Sequence, residues 1–353
     1  MKDVTILHTT HPRADDIFQA HAIPRDVIKA NRTAFRVTCT NVNCGKHLDK
    51  LQTCQKCKSV WYCSKEASMI YTIFNIIEAQ IAQVLVAGFS VRGQTGVSKI
   101  MARHKQTCTP VERSSGVLKL IQTFVANQLL LTNLSICAVL DLGLLNDRKR
   151  IGFDVPFMVR VDVGIEPADV ILFTKLLYTD EPVPDKLEGM IQVNSFFSWL
   201  PGQSGHDPLT PKRMAMWKQA RSELDAQPQR SHDPLGLMEF VNDNCHSITI
   251  SFPIHRGAFK LAGEAEPFVM LSGITGTMEK PMTVATCMEF INVHIRADKK
   301  NQLGLRTEMT QADKEIIKAV ADPANIKDSV RFLREKMERE TLFARLPKFP
   351  HSN

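Results

Sequence analysis

The long C-terminal part of the chain carries a regular pattern of apolar and polar positions. Residues 117–145 repeat apolar side chains at helical spacing with polar ones between them, which predicts two amphipathic helices packed on a core. From Gly152 onward, segments typical of strands and of helices follow one another. We expect strands at 155–165, 187–199, 237–242, 246–254 and 268–276, and helices at 167–179, 211–227, 284–301, 310–321 and 328–342. The pattern therefore predicts one mixed α/β domain, of the α+β kind, over residues 117–348.

Two features of this domain refine the picture. The runs 200–211 and 226–236 contain Pro and Gly and predict surface loops. The helix over 328–342 carries a rough apolar stripe, which we expect to pack on the domain's own core in preference to a partner. The stripe is formed by Val330, Leu333, Met337 and Leu342.

The N-terminal third has a different pattern. Residues 1–35 mix polar residues, Pro and short apolar stretches, which predicts a loosely structured lead-in segment with one helical turn around Asp26–Asn31. Residues 36–66 are poor in aliphatic side chains and dense in Cys and Lys, so that no ordinary core forms there. We expect a bound metal to supply the stability of this segment.

Residues 67–96 change character again, to a run rich in Ile, Val and Ala. The part from Met69 to Val91 is long enough to cross a bilayer. Polar groups near its middle argue against a membrane span, because they are costly in lipid. These residues are Asn75, Glu78, Gln80 and Gln83. We therefore expect no membrane association.

Charge and composition limit the classes of partner. The 353 residues are 44% hydrophobic and carry a formal net charge of +7, with basic and acidic residues interspersed. This balance permits an acidic partner, but no base-reading motif accompanies it, so nucleic acid is not the partner we expect.

Cysteine use points to a metal. The N-terminus MKDVTILHTTHPRADD lacks the features of a signal peptide, so we expect a reducing compartment, the nucleus or the cytoplasm. In such a compartment, clustered cysteines are typical of metal sites. Six of the nine cysteines lie between positions 39 and 108. The other three, Cys137, Cys245 and Cys287, we interpret as small buried hydrophobes.

The clustered residues have ligand spacing. Two residues separate Cys54 from Cys57, which suits a knuckle with both sulfurs facing one zinc, and three separate His104 from Cys108, which suits one helical turn. Thiolate and imidazole are ligands that Zn²⁺ prefers, four to a closed structural site. The predicted ligands are Cys39, Cys44, Cys54, Cys57, Cys63, His104 and Cys108.

The block LQTCQKCKSVWYCSKE, residues 51–66, resembles the MYND-type zinc finger, in particular its fungal form. The resemblance implies a small cross-braced module in which eight ligands interleave around two zinc ions. It implies one complete Zn²⁺ site, formed by Cys54, Cys57, His104 and Cys108. It also implies one incomplete site, formed by Cys39, Cys44 and Cys63.

The sequence departs from that family at the sixth ligand. Ala67 stands where the family has Cys, and His47 or a water is left to complete the first site. The motif resumes as VSKIMARHKQTC at 97–108, so the finger spans 36–108 with 67–96 inserted. We hypothesise that the inserted segment is a translated, unspliced intron that replaced the sixth ligand and its neighbour. The alternative is a genuine helical insertion.

The resemblance implies that the finger binds peptide segments of other proteins, often containing proline, within transcriptional or regulatory complexes. Val60, Trp61 and Tyr62 offer apolar surface for this, although packing inside the zinc-stapled module is the interpretation we favour. In the MYND family both zinc sites use protein ligands throughout, so the resemblance implies no zinc catalysis.

An enzymatic alternative is a SET-type lysine methyltransferase carrying a MYND finger. Its motifs are absent: DNCHS at 243–247 has the wrong order, and no tyrosine follows Tyr178. Cys245 and His246 are adjacent in an expected strand and point to opposite faces. The two His-Asp-Pro triplets, which begin at His206 and His232, are interpreted as turn formers.

Overall fold

The computed structural model divides the chain into two compact units, Met1–Arg32 together with Lys119–Asn353, and Thr33–Leu118. The structure describes residues 13–34, 52–53, 61–62, 115–147, 150–179, 181–203, 205–243, 246–272 and 276–346.

The described helices and strands follow the chain in this order. The helices are α1 Ala14–His21, α2 Arg25–Ala34, α3 Ser115–Ala126, α4 Gln128–Asp141, α5 Val170–Tyr178, α6 Pro211–Asp225, α7 Arg256–Glu264, α8 Val284–Ala297, α9 Gln311–Ala319 and α10 Asp328–Arg339. The strands are β1 Gln52–Thr53, β2 Trp61–Tyr62, β3 Met158–Pro167, β4 Glu188–Trp199, β5 Leu235–Asn242, β6 His246–Pro253, β7 Phe268–Ser272, β8 Gly276–Lys280 and β9 Arg306–Glu308. Short 3₁₀ turns cover Leu144–Asn146 and Thr341–Phe343.

A five-stranded mixed sheet organises the larger unit, in the order β6-β5-β3-β4-β9. The β3 and β5 strands are parallel, and the other neighbours are antiparallel. The long β3–β4 ladder shifts register once: Asp162 is opposite Ser195 while Val163 is opposite Val193. This β-bulge leaves Asn194 as the additional residue of β4. A separate antiparallel hairpin joins β7 and β8.

Apolar side chains hold the helices on this sheet. The Phe124 ring of α3 meets Phe240 of β5 edge to face, at 5.8 Å between centroids. On α6, Trp217 is buried against Met158 and Leu235, and its indole N–H donates to the Leu235 carbonyl at 2.7 Å. Burial of large apolar side chains is the main stabilising term of such a domain.

Local sequence signals set the helix ends. Asn127 separates α3 from α4, and its side-chain oxygen accepts hydrogen bonds from the backbone N–H groups of Leu129 and Leu130. Thr310 caps α9, and a reciprocal hydrogen bond from its backbone N–H to Asp313 completes a capping box. The Thr310 start predicted from the sequence is therefore confirmed.

The pattern of apolar and polar residues predicted most of this unit. The mixed α/β class is confirmed, and so are both predicted loops. The strands and helices predicted between residues 155 and 342 are also confirmed, apart from differences at the ends of these elements. The expected strand at 268–276 ends earlier, at Ser272, and residues 273–275 lie outside the described part. Val330, Leu333 and Met337 are buried, so the apolar stripe of α10 packs on its own core. Of the two helices predicted as amphipathic, α4 is instead buried around most of its circumference.

The lead-in prediction was wrong for residues 14–34. Two helices stand there in place of a loose segment with one turn, and their apolar residues Phe18 and Ile28 are buried. The Phe18 ring lies 5.0 Å from the ring of His294 in α8. The Asn31 side-chain amide donates to the Ala126 carbonyl at 3.0 Å, which ties α2 to α3. These long-range contacts stabilise helices that are too short to be stable alone.

No single helix among the described residues is long and apolar enough to cross a bilayer. The pair α3 and α4 passes the same test when combined, but the two helices are bent by 83° to one another.

Candidate metal centre

A short hairpin in the smaller unit adjoins three of the predicted metal ligands in the sequence. Gln52 pairs with Tyr62 and Thr53 with Trp61 in an antiparallel ladder between β1 and β2. Cys54 and Cys57 fall in the segment between the two strands, and Cys63 directly follows β2. The hairpin therefore brings two stretches of backbone together, with a predicted ligand at the end of each strand.

The donor set next to this hairpin suits zinc. Three cysteines lie within ten positions of one another, and deprotonated thiolates are soft, negatively charged ligands of the kind that structural zinc sites use. A two-strand hairpin with only two residues per strand is not stable by itself. Zinc bound by these cysteines would supply the missing free energy of folding.

All seven predicted ligands lie outside the described residues. They are Cys39, Cys44, Cys54, Cys57, Cys63, His104 and Cys108. The same holds for His47, Ala67, Cys245 and the inserted segment 67–96. Their assignment as ligands, neighbours or insertion stays a prediction.

The described residues offer no second metal site. No group of three or more His, Cys, Asp or Glu side chains among them is placed to hold an ion. Cys137 and Cys287 are free and buried, as predicted for scattered cysteines. Burial raises the pKa of the Cys137 thiol well above its usual value, and the neighbouring Cys287 raises it further. A protonated buried thiol is a small apolar side chain and not a ligand.

A buried cluster of charged side chains lies in the larger unit. Glu166, near the end of β3, forms ion pairs with Lys336 of α10 and Arg296 of α8. Glu340 lies 3.9 Å from the Lys336 ammonium and accepts a hydrogen bond of 2.6 Å from the side-chain amide of Asn292. Lys336 is fully buried and Glu166 is 1% exposed. The cluster thereby joins three elements of the core.

The pKa shifts in this cluster follow from burial and pairing. Burial raises the pKa of Glu166, but the positive charges of Lys336 and Arg296 lower it below its usual value. Burial lowers the pKa of Lys336, and the carboxylates of Glu166 and Glu340 offset part of that effect. Burial raises the pKa of Glu340, and Lys336 opposes it.

Perturbed pKa values often mark active sites. Here Glu166, Lys336 and Glu340 are at most 2% exposed and are paired with one another or with neighbouring side chains, so we interpret the cluster as a structural one. The sequence contains a signal for this cluster, because Lys336 falls within the apolar stripe of α10, next to Met337. A charge inside an apolar pattern indicates a buried ion pair.

Comparison with known families identifies the class of protein. Residues 39–70 match the MYND finger. This match includes Cys39, Cys44, Cys54, Cys57 and Cys63, and ends inside the inserted segment; His104 and Cys108 lie beyond it. The chain is thus a zinc-finger protein that carries a MYND finger, followed by a separate C-terminal domain.

The C-terminal domain defines the family. Residues 113–343 match the Domain of unknown function (DUF8205). Because this match covers well over half of the chain, the chain belongs to the DUF8205 family. Neither of these two matches is to a methyltransferase. No curated protein and no solved structure matches the chain.

Proposed function

We propose that this chain is a zinc-binding protein whose MYND finger binds a peptide segment of a partner protein. The match over 39–70, with five predicted thiolate ligands inside it, is the observation that supports the proposal. The paired strands β1 and β2 next to Cys54 and Cys63 agree with a compact zinc-stapled module.

In this proposal the ligands divide as the family resemblance implies, in a cross-braced module. Cys54, Cys57, His104 and Cys108 hold one zinc. Cys39, Cys44 and Cys63 give only three ligands to the second, because Ala67 stands where a cysteine belongs. At the complete site zinc would supply folding free energy and no reaction, since four protein ligands leave no position for a catalytic water.

The partner would be a short peptide, often one containing proline. Lysines in the finger, such as Lys56 and Lys58, favour an acidic flank on that peptide by long-range attraction. Free thiolate ligands persist in a reducing environment, so the proposal places the protein in the nucleus or cytoplasm.

An array of proline-containing peptides, probed with the full zinc-loaded chain, tests peptide binding. The wild type should retain a subset of peptides. Cys57→Ala should retain none of them, because it removes a ligand of the complete site. Cys245→Ala, the same substitution outside the finger, is the matched control and should bind like the wild type. Equal binding by Cys57→Ala, or no binding by the wild type, would overturn the proposal.

The inserted segment has its own test. If residues 67–96 are a retained intron, sequencing of the transcripts should reveal a shorter message without this segment, encoding a finger with the sixth ligand present. Finding the segment in every mature message would show a genuine insertion.

A further inference from the structure

A narrow cavity lies between β3, the bulge of β4, and helices α9 and α10. It has a volume of about 20 Å³, which is room for one water-sized group. Its lining includes the buried side chains of Asp162, Asn194 and Asp313. The half-buried Asp243 and Asp328 complete its acidic character.

The bulge positions Asn194 at this cavity. As the additional residue of β4, Asn194 stands beside Gly164 of β3, and both line the cavity. A Cβ atom at position 164 would lie 2.7 Å from the Asn194 amide nitrogen, so a larger residue there would displace this side chain. Asn194 is 5% exposed, yet its Oδ1 accepts no hydrogen bond from the described part of the chain. A buried acceptor without a donor is destabilising, which indicates a missing donor.

Two hydrogen-bond donors of the lining are already used. The Asn242 amide donates to the Val163 carbonyl at 3.0 Å, and the Ser329 hydroxyl donates to Asp243 at 2.7 Å. Asn194 Oδ1 and the carboxylate oxygens of the lining are acceptors, so a ligand that donates hydrogen bonds suits this cavity.

Among the described residues, every carboxylate of the lining except that of Asp313 forms an ion pair. Arg160 pairs with Asp162 at 2.7 Å and Lys327 with Asp243 at 2.8 Å. Asp313 accepts hydrogen bonds from the Thr310 backbone and hydroxyl, and the ion pairs of the described residues include none to it. Burial raises the pKa of Asp162 and of Asp313 by more than their hydrogen bonds lower it. A cation in the cavity, close to either carboxylate, would relieve this cost.

We propose that this cavity binds the primary ammonium group of an alkylamine, carried by a free amine or by a lysine side chain. An ammonium group is the size of a water, has three N–H donors and carries one positive charge. It would donate to Asn194 Oδ1 and to the carboxylates of Asp162 and Asp313. A divalent metal ion fits less well, because the described carboxylates are not grouped as metal ligands. The site lies in the C-terminal domain and does not depend on peptide binding by the finger.

Calorimetric titration of the full-length protein with n-butylammonium and, separately, with tetramethylammonium tests the proposal. Both ions carry one charge, but tetramethylammonium has no N–H donor and is too large for the cavity. We expect saturable binding of one n-butylammonium per chain and none of tetramethylammonium. Nα-acetyl-L-lysine amide separates the two sources: tighter binding than n-butylammonium indicates a lysine of a protein, and weaker binding indicates a free amine.

Substitutions in the lining test the residues. Asn194→Leu should weaken n-butylammonium binding by about tenfold or more, because it removes the unpaired acceptor. Asp313→Asn should also weaken it by about tenfold, while its remaining oxygen keeps the bond from Thr310. Asn194→Asp should strengthen binding, since it adds a charge in the same shape. Asp154→Asn removes a carboxylate that is 64% exposed and away from the cavity, and should change nothing.

Circular dichroism and thermal unfolding of each variant separate loss of the site from loss of the fold.

Three results would overturn the proposal. One is the absence of saturable n-butylammonium binding to the wild type, which would leave the cavity to water. Another is equal binding of tetramethylammonium, which would show surface attraction only. The third is unchanged affinity in folded Asn194→Leu and Asp313→Asn proteins.

Discussion

Asn292 of α8 forms the two hydrogen bonds with the backbone of Val193 in β4 that a neighbouring strand would otherwise form. Its Oδ1 accepts from the Val193 N–H at 2.7 Å, and its amide donates to the Val193 carbonyl at 2.8 Å. Strand β9 pairs with β4 only at Glu188–Met190, so that the outer edge of β4 is open further along. A side chain of a helix thus satisfies both backbone groups at the edge of the sheet, as buried groups require.

Replacement of this side chain should destabilise the domain. We expect Asn292→Leu to lower the free energy of unfolding by about 3 kcal/mol, because two buried backbone groups lose their partners. Urea unfolding followed by circular dichroism measures this change. Asn146→Leu, at an exposed asparagine, is the control and should stay within about 0.5 kcal/mol of the wild type. An Asn292→Leu protein as stable as that control would show that the pairing contributes nothing.

The buried Lys336 should be far more sensitive than a surface lysine. Lys336→Met leaves the Glu166 carboxylate with Arg296 alone and next to Glu340, and we expect a loss of about 3–5 kcal/mol of stability in urea unfolding. Lys175→Met breaks an exposed pair with Glu181, 3.1 Å long, and should cost less than about 1 kcal/mol.

A second variant separates the charge from the packing of Lys336. The double variant Glu166→Gln with Lys336→Met removes both charges of the closest pair, and it should recover part of the loss. The loss of stability caused by Glu166→Gln is measured in the wild type and again in the Lys336→Met protein. If the two losses are equal, the two residues are not coupled.

The pH dependence of stability should carry a contribution from His294. Burial, followed by the charge of His21, lowers its pKa from 6.5 to about 4. Between these two values the unfolded chain binds the proton and the folded chain does not, so stability is lost as the pH falls from about 6.5 to about 4. The expected contribution is about 3 kcal/mol at the lower end.

Comparison of variants isolates this contribution from that of the carboxylates. His294→Phe keeps an aromatic ring next to Phe18 and Phe290 but cannot be protonated. The difference in unfolding free energy between wild type and His294→Phe should shift by about 3 kcal/mol between neutral and mildly acidic pH. His232→Phe, at an exposed histidine, should show no such shift. Parallel curves for wild type and His294→Phe would assign the acid sensitivity to other groups.

The sequence predicted elements whose signals are local. Thr310 with Asp313 three positions later is a capping pattern that can be read directly, and α9 begins there. Helix α7 was not predicted, because two glycines lie within its nine residues and oppose a helix. Its buried residues Ala258 and Ala262 show that tertiary packing overrides that preference.

Features that depend on register could not be predicted. The bulge at Asn194 follows from the pairing of β3 with β4, and nothing in the residues around it marks an additional position. The cavity next to Asn194 and the Glu166–Lys336 pair are each formed by residues far apart in the chain. The metal ligands, in contrast, are spaced along one segment, and the match to the MYND finger over 39–70 agrees with the first five of them.

The scattered cysteines should be inert in the folded protein. Cys137 and Cys287 are fully buried, and burial raises the pKa of the Cys137 thiol. We expect iodoacetamide to leave both unlabelled in the native state and to label both in denaturant, as read by mass spectrometry. Labelling of either residue at the rate of a free thiol under native conditions would contradict the described packing.

Zinc stoichiometry tests the central claim most directly. Elemental analysis should be made on the full chain and on a version in which residues 67–96 are replaced by Cys-Gln, the pair that the MYND family has at that point. We expect about one zinc per chain in the first protein and about two in the second, because the replacement restores the missing sixth ligand. No bound zinc in either protein would contradict the metal centre and the function built on it.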